Sequence, residues 1–93
     1  MAKIESTSDD SGAAEIIALN ALTFLASDPE RFEAFLALSG LTVADVTARA
    51  GERSFQRGVL EHLMANESLL VAFCAENSLK PEAPGRALRR LDR

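Results

Sequence analysis

Apolar residues recur through this chain at helical intervals, and the pattern of one stretch returns in the next. Moving residues 17–45 along by 38 positions lays Leu22 on Leu60, Leu25 on Leu63, Phe32 on Leu70, Phe35 on Phe73 and Leu41 on Leu79. Asp28 falls on Asn66 in the same alignment, and both residue types cap helices. A repeat of this length is the size of a helix pair. No segment alternates with period two, so no strand is expected.

The pattern predicts five helices, or six if the last proline-rich stretch also winds into one. Residues 1–11 are Ser- and Asp-rich and lack periodicity, which predicts a disordered tail. Helix 1 is expected from about Ala13 to Ser27, with Ser11 or Gly12 as its cap and Glu15 in its first turn. Ile16, Ile17, Leu19, Leu22, Phe24 and Leu25 cover most of its circumference, as in a helix buried all round. Asp28-Pro29-Glu30 opens helix 2, which Gly40 should stop in a left-handed conformation. Thr42-x-x-Asp45 is a capping box with Asp in place of Glu, and it starts a short helix 3 from Val43 to about Ala50, stopped by Gly51. Helix 4 is expected from Ser54 to Ala65, with Phe55, Val59, Leu60, Leu63 and Met64 on one face. Asn66 caps helix 5, from Glu67 to Glu76, with Leu69, Leu70, Phe73 and Cys74 as its stripe. Pro81 opens a short last helix, in which Pro84 is tolerated only because first-turn amides need no intrahelical acceptor.

These elements predict an all-α fold, a compact bundle of short helices. Helices 1–2 and 4–5 form two similar pairs, with helix 3 bridging them, since short links favour antiparallel neighbours. One domain over residues 12–91 follows, with 92–93 frayed. The expected core is Ile17, Leu22, Leu25, Phe32, Phe35, Leu36, Leu60, Leu63, Leu70 and Phe73. Hydrophobic content of 47% supports a core, and with Trp and Tyr absent that core is aliphatic apart from Phe. A domain of 93 residues is only marginally stable alone, which favours self-association.

The net charge of −4 argues against a nucleic-acid binder. A single Cys fits a reducing compartment. The N-terminus has no apolar run like that of a signal peptide, and no stretch approaches a membrane span, so a cytoplasmic location is expected.

Candidate chemistry is sparse. His62, the only histidine, follows Glu61 on the polar flank of helix 4 and is expected to be solvated. Cys74 has no base or cation beside it and sits in the second half of its helix, so a buried, inert thiol is expected. Glu30, Glu33, Asp45, Glu52, Glu61, Glu67, Glu76 and Glu82 fall at helix starts or exposed positions, where capping and solubility explain them. No Glu-x-x-His pair, phosphate loop or nucleophile elbow is present. No catalytic, cofactor-binding or metal-ligating residue is therefore assigned, and no enzyme is expected. Arg86, Arg89, Arg90 and Arg93 could meet phosphates or an acidic partner, but cations also suit the C-terminus of a solvated helix. A helix-turn-helix around Gly40 fails on its second helix, where Val43–Ala50 holds one Arg and one Asp.

The stretch from Ala21 to Leu41, of the form A-L-x-F-L-A-x-D-P-x-R-x-x-x-F-L-x-x-x-G-L, resembles a family of short alphaproteobacterial proteins classed only as a domain of unknown function. The run from Val59 to Phe73 resembles that family's later segment, where the position of Asn66 is more often Asp. The resemblance, over about residues 13–83, implies an all-helical bacterial cytoplasmic protein and brings no activity or site residue. The expected function is a non-catalytic protein–protein interaction or regulatory module, through an unknown partner or self-association. The alternative is weak nucleic-acid binding through the Arg-rich C-terminus.

Overall fold

The computed structural model describes the backbone of residues 2–92 and the side chains of residues 12–92. The helices run in the order α1 (Ala2–Ala26), α2 (Pro29–Ser39), α3 (Val43–Arg49), α4 (Arg53–Met64), α5 (Glu67–Glu76) and α6 (Ala83–Leu91). Among the described residues there is no strand. The expected sixth helix is formed, and α1 begins at Ala2 rather than at Ala13. A Ser-Gly step costs helix stability without forbidding the helix. The tail expected over residues 1–11 falls on residues whose side chains lie outside the described part, and Arg93 lies outside it entirely.

The starts of α2, α3 and α5 are fixed by their predicted caps. The Asp28 carboxylate accepts from the Glu30 N–H at 2.9 Å and the Arg31 N–H at 3.4 Å, and Pro29 takes the first helical position. At α3 the capping box is reciprocal. The Asp45 N–H donates to Thr42 Oγ1 at 3.1 Å, and the Thr42 N–H donates to Asp45 Oδ2 at 2.9 Å. The Thr42 N–H, with the hydroxyl behind it, holds the Asp45 carboxyl below its usual pKa. Asn66 Oδ1 accepts from the Leu69 N–H at 3.2 Å.

The repeat read from the apolar pattern extends to single hydrogen bonds. Ser39 Oγ donates to the Phe35 carbonyl at 2.6 Å, and Asn77 Nδ2, 38 positions on, donates to the Phe73 carbonyl at 3.0 Å. The Leu41 N–H returns to the Leu36 carbonyl at 3.2 Å, and the Leu79 N–H returns to the Cys74 carbonyl at 2.9 Å. Both are Schellman-type exits through a left-handed residue, Gly40 at φ 72° and Ser78 at φ 56°. Ring contacts cross between the pairs in the same symmetry. Phe24 meets Phe73 edge-on at 5.6 Å, and the equivalent residues, His62 and Phe35, meet edge-on at 5.1 Å. The two helix pairs are thus related by a pseudo-two-fold exchange.

In the packed molecule α2 lies on α1 and α5 lies on α4, as the two expected pairs. Helix α3 joins the pairs along the chain, and α6 packs on both α1 and α4 and seals the centre. Every expected core residue is either buried or packed against the buried cluster. The expectation that helix 1 is buried all round is corrected, because Ile16 is 59% exposed and Leu19 41% exposed. Its buried stripe is Ala14, Ala18, Ala21 and Leu25, with Phe24 beside it. Small side chains at that spacing let α6 come close with Ala87, itself buried. Met64, expected on the inner face of α4, is exposed.

Candidate functional site

The residues with reactive side chains are taken up by packing. Cys74 is buried, and its thiol donates to the Lys80 carbonyl at 3.7 Å. Burial first, and then the nearby Glu82 carboxylate, push its pKa up, away from a nucleophilic thiolate. His62 is not the solvated side chain its sequence neighbours imply. Its ring is half-buried, edge-on to Phe35, with Nε2 shielded and without a hydrogen-bond partner. Burial holds its pKa below the ordinary value, which keeps the ring neutral. Among the described residues no three His, Cys, Asp or Glu side chains gather where a metal could be held. No helix of the described residues is long and apolar enough to cross a membrane.

The arginines of α6 lie apart from these groups. Arg86 and Arg90 line a shallow groove of about 180 Å³ between α1 and α6, floored by Ala13, Ala14, Ile17 and Ala87, and Arg89 is exposed. Of the carboxylates, Asp45 caps α3, whereas Glu52 makes no capping bond at the start of α4 and instead pairs with Arg49 at 3.2 Å.

A larger groove, of about 260 Å³, opens where the end of α2 and the end of α3 face the start of α4. Phe35, Leu41 and Phe55 form its floor, with the two rings 6.3 Å apart and nearly perpendicular. Ser39, Arg49 and Ser54 stand on its rim, and Gly58 forms part of its wall. Leu38, 79% exposed near the end of α2, and Val43, 59% exposed at the start of α3, are apolar side chains left at the surface of two of the helices that frame it. Its pseudo-symmetric counterpart, lined by Asn20, Phe24, Glu76 and Asn77, holds about 220 Å³. There Asn20 stands where Gly58 stands in the first groove, and Glu76 brings a negative charge.

Gly58 is the feature of this site that the sequence reading passed over. It lies in the interior of α4, where glycine costs about 1 kcal/mol relative to Ala. Its φ is not in the left-handed region, and a Cβ placed on it would meet nothing within 4 Å. Neither backbone conformation nor packing calls for a glycine there. The signal was present as a lone glycine inside an otherwise helical apolar pattern. Gln56 was missed as well. It is buried beside the groove's Phe55, with Nε2 donating to the Ala50 carbonyl at 3.2 Å and Oε1 left without a partner.

A family model described as Protein of unknown function (DUF3572) matches residues 11–93. No curated protein and no solved structure matches the chain.

Proposed function

We propose that this chain, which belongs to the DUF3572 family of proteins of unknown function, acts as a non-catalytic protein–protein interaction module. The observation that carries the reading is the apolar groove of Phe35, Leu41 and Phe55, together with the exposed Leu38 of α2, at 79%, and Val43 of α3, at 59%. Exposed apolar surface next to a concave, polar-rimmed groove is the arrangement of a docking site. The raised pKa of Cys74 and the shielded ring of His62, edge-on to Phe35, support the non-catalytic part, as does the absence of both residues from the linings of these grooves.

Capture from native lysate, beside light scattering on the pure protein, tests the reading. Leu38→Glu and Val43→Glu lie at exposed positions and are expected to leave the melting temperature within a few degrees. They should abolish either the captured partner or any self-association. A strictly monomeric protein with no specific partner would count against the module.

A second reading, contact with phosphates, rests on exposed Arg86 and Arg89 in a helix that carries no acid. Such binding should fall steeply with salt and weaken with Arg86→Glu and Arg89→Glu, which leave the buried Ala87 and Leu91 of α6 in place. Absence of any retardation of DNA or RNA at low salt would eliminate it.

A further inference from the structure

We propose that the outward face of α1 pairs with the same face of a second copy of this chain, antiparallel about a two-fold axis at Leu19. The proposal concerns a different surface from the α2–α4 groove and goes beyond the reading built on it. Ile16, Leu19, Thr23 and Ala26 follow one another at steps of three, four and three residues, and all four are exposed. Such spacing makes one continuous stripe, of the kind along which helices pair. The stripe lies on the side of α1 opposite the buried Ala14, Ala18 and Leu25. It leaves two large apolar side chains in water, with Ile16 at 59% exposure and Leu19 at 41%.

Charge and area favour a second copy as the occupant. Between Glu15 and Asp28 the chain carries no ionisable residue, whereas each of the other five helices carries at least two. A two-fold contact sets a surface against itself, so a charge near its axis meets its like, and a neutral face escapes that repulsion. The antiparallel sense brings Leu19 to Leu19 and Ile16 to Thr23. It also keeps the two Glu15 side chains apart, where a parallel pairing would set them side by side. The chain exposes 5735 Å² for a mass of 10.0 kDa, about 500 Å² more than a compact monomer of that mass. Two copies that each cover such a surplus bury about 1,000 Å² in total, the area from which a specific interface is recognised. Helix α1 also has the reach. Its 25 residues span about 37 Å of a molecule measuring 42 × 27 × 20 Å, so it lies along the long edge, where a second helix can run beside it.

Sedimentation of the full chain over about a hundredfold range of concentration tests this. The chain is expected to pass from monomer to dimer across that range. Rising salt should strengthen the dimer, because it screens the −4 charge on each copy while the stripe has no charge of its own to screen. Leu19→Glu should raise the dissociation constant at least tenfold and leave the melting temperature within a few degrees. Leu19→Lys should do the same, and mixing the two variants should restore the dimer, since a two-fold axis at Leu19 then opposes Glu to Lys. Ile16→Glu mixed with Thr23→Lys repeats the test at other exposed positions if the Leu19 variants prove unstable. A monomer at every concentration, a dimer that Leu19→Glu and Ile16→Glu leave intact, or a dimer that salt dissolves would overturn the proposal. So would a dimer lost to Leu38→Glu instead, or a different protein captured by a monomeric chain through Ile16 and Leu19. A monomer that still loses a captured partner on Leu38→Glu ends this proposal and leaves the interaction reading standing. A dimer through α1 with no partner lost on Leu38→Glu does the reverse.

Discussion

At the scale of single residues, most of the positions that carry the sequence resemblance have a physical task in the fold. Ala21, Phe24 and Leu25 are buried, Asp28 caps α2, Pro29 starts it, and Gly40 turns the chain out of it. Arg31 was not legible from periodicity. Its guanidinium lies over the Phe24 ring at 4.3 Å and reaches Asp28 at 3.8 Å, two contacts that only the folded turn brings together. His62 was misread for a related reason. Its flanking Glu61 pointed to solvent, while its repeat partner Phe24 pointed to a ring contact, and the ring contact is what forms. That placement has a pH consequence. The folded-state pKa of His62 is lowered from 6.5, so below about pH 6.5 the unfolded chain takes up the proton first. Stability contributed by the neutral ring is complete above that pH and declines as pH falls through the window down to the lowered value. His62→Phe, which copies the Phe24–Phe73 pair, should flatten this part of the pH profile and raise the melting temperature at pH 5.5 relative to wild type. An unchanged slope would show that His62 is solvated. Cys74 gives a second residue-level check. With its thiol buried and its pKa raised, labelling at neutral pH should be slow in the native protein and fast in denaturant. Labelling of the folded chain at the rate of a free peptide thiol would refute the burial.

At the scale of elements, the boundaries written in cap chemistry were legible, and the start of α1 was not. Asp28, Thr42 and Asn66 start α2, α3 and α5 where their side chains find first-turn amides, because each offers a short-range bond that the sequence itself specifies. Helix α4 starts at Arg53 with no side-chain cap, within one residue of the expected Ser54, because the apolar period after Gly51 marks it. Burial faces were less legible than boundaries. An alanine stripe carries a weak apolar signal, so Ile16 and Leu19 outweighed Ala14, Ala18 and Ala21 in the pattern although the alanines are the buried set. The groove escaped for the same reason, since a glycine wall and two phenylalanines from different helices meet only after packing. The two helix exits give a matched comparison. Both need a left-handed residue, supplied by Gly40 at φ 72° in one and by Ser78 at φ 56° in the other. A left-handed conformation costs a residue with a side chain about 1–2 kcal/mol, and glycine returns part of that gain as unfolded-state entropy. Gly40→Ala should therefore lose about 1–2 kcal/mol, and Ser78→Gly should gain up to about 1 kcal/mol, in urea unfolding. Loss of stability in Ser78→Gly would mean that the Ser78 side chain makes a stabilising contact that outweighs the strain.

At the scale of the whole molecule, two similar helix pairs do not close a core by themselves. Their pseudo-two-fold exchange places the Phe24–Phe73 and His62–Phe35 contacts symmetrically, but it leaves the inner faces of α1 and α4 in need of a cover. Helix α6 supplies it with Pro84, Ala87 and Leu91, all buried. The apolar contact rather than the charges holds it there. Arg57 Nε reaches Asp92 Oδ1 at 2.7 Å and ties the end of α6 to α4, yet the two side chains remain 40% and 51% exposed. An exposed pair of this kind contributes about 0–1 kcal/mol. Leu91, 1% exposed, fills the centre, and Leu91→Ala should cost about 2–5 kcal/mol. That is a large share of the roughly 5–15 kcal/mol available to a small domain. Asp92→Ala should cost about 1 kcal/mol or less, and the same truncation at exposed Met64 should cost less than Leu91→Ala. Equilibrium unfolding in urea separates the three. If Leu91→Ala costs no more than Asp92→Ala, then α6 is an appendage held by its ion pair, and the two helix pairs close their core without it.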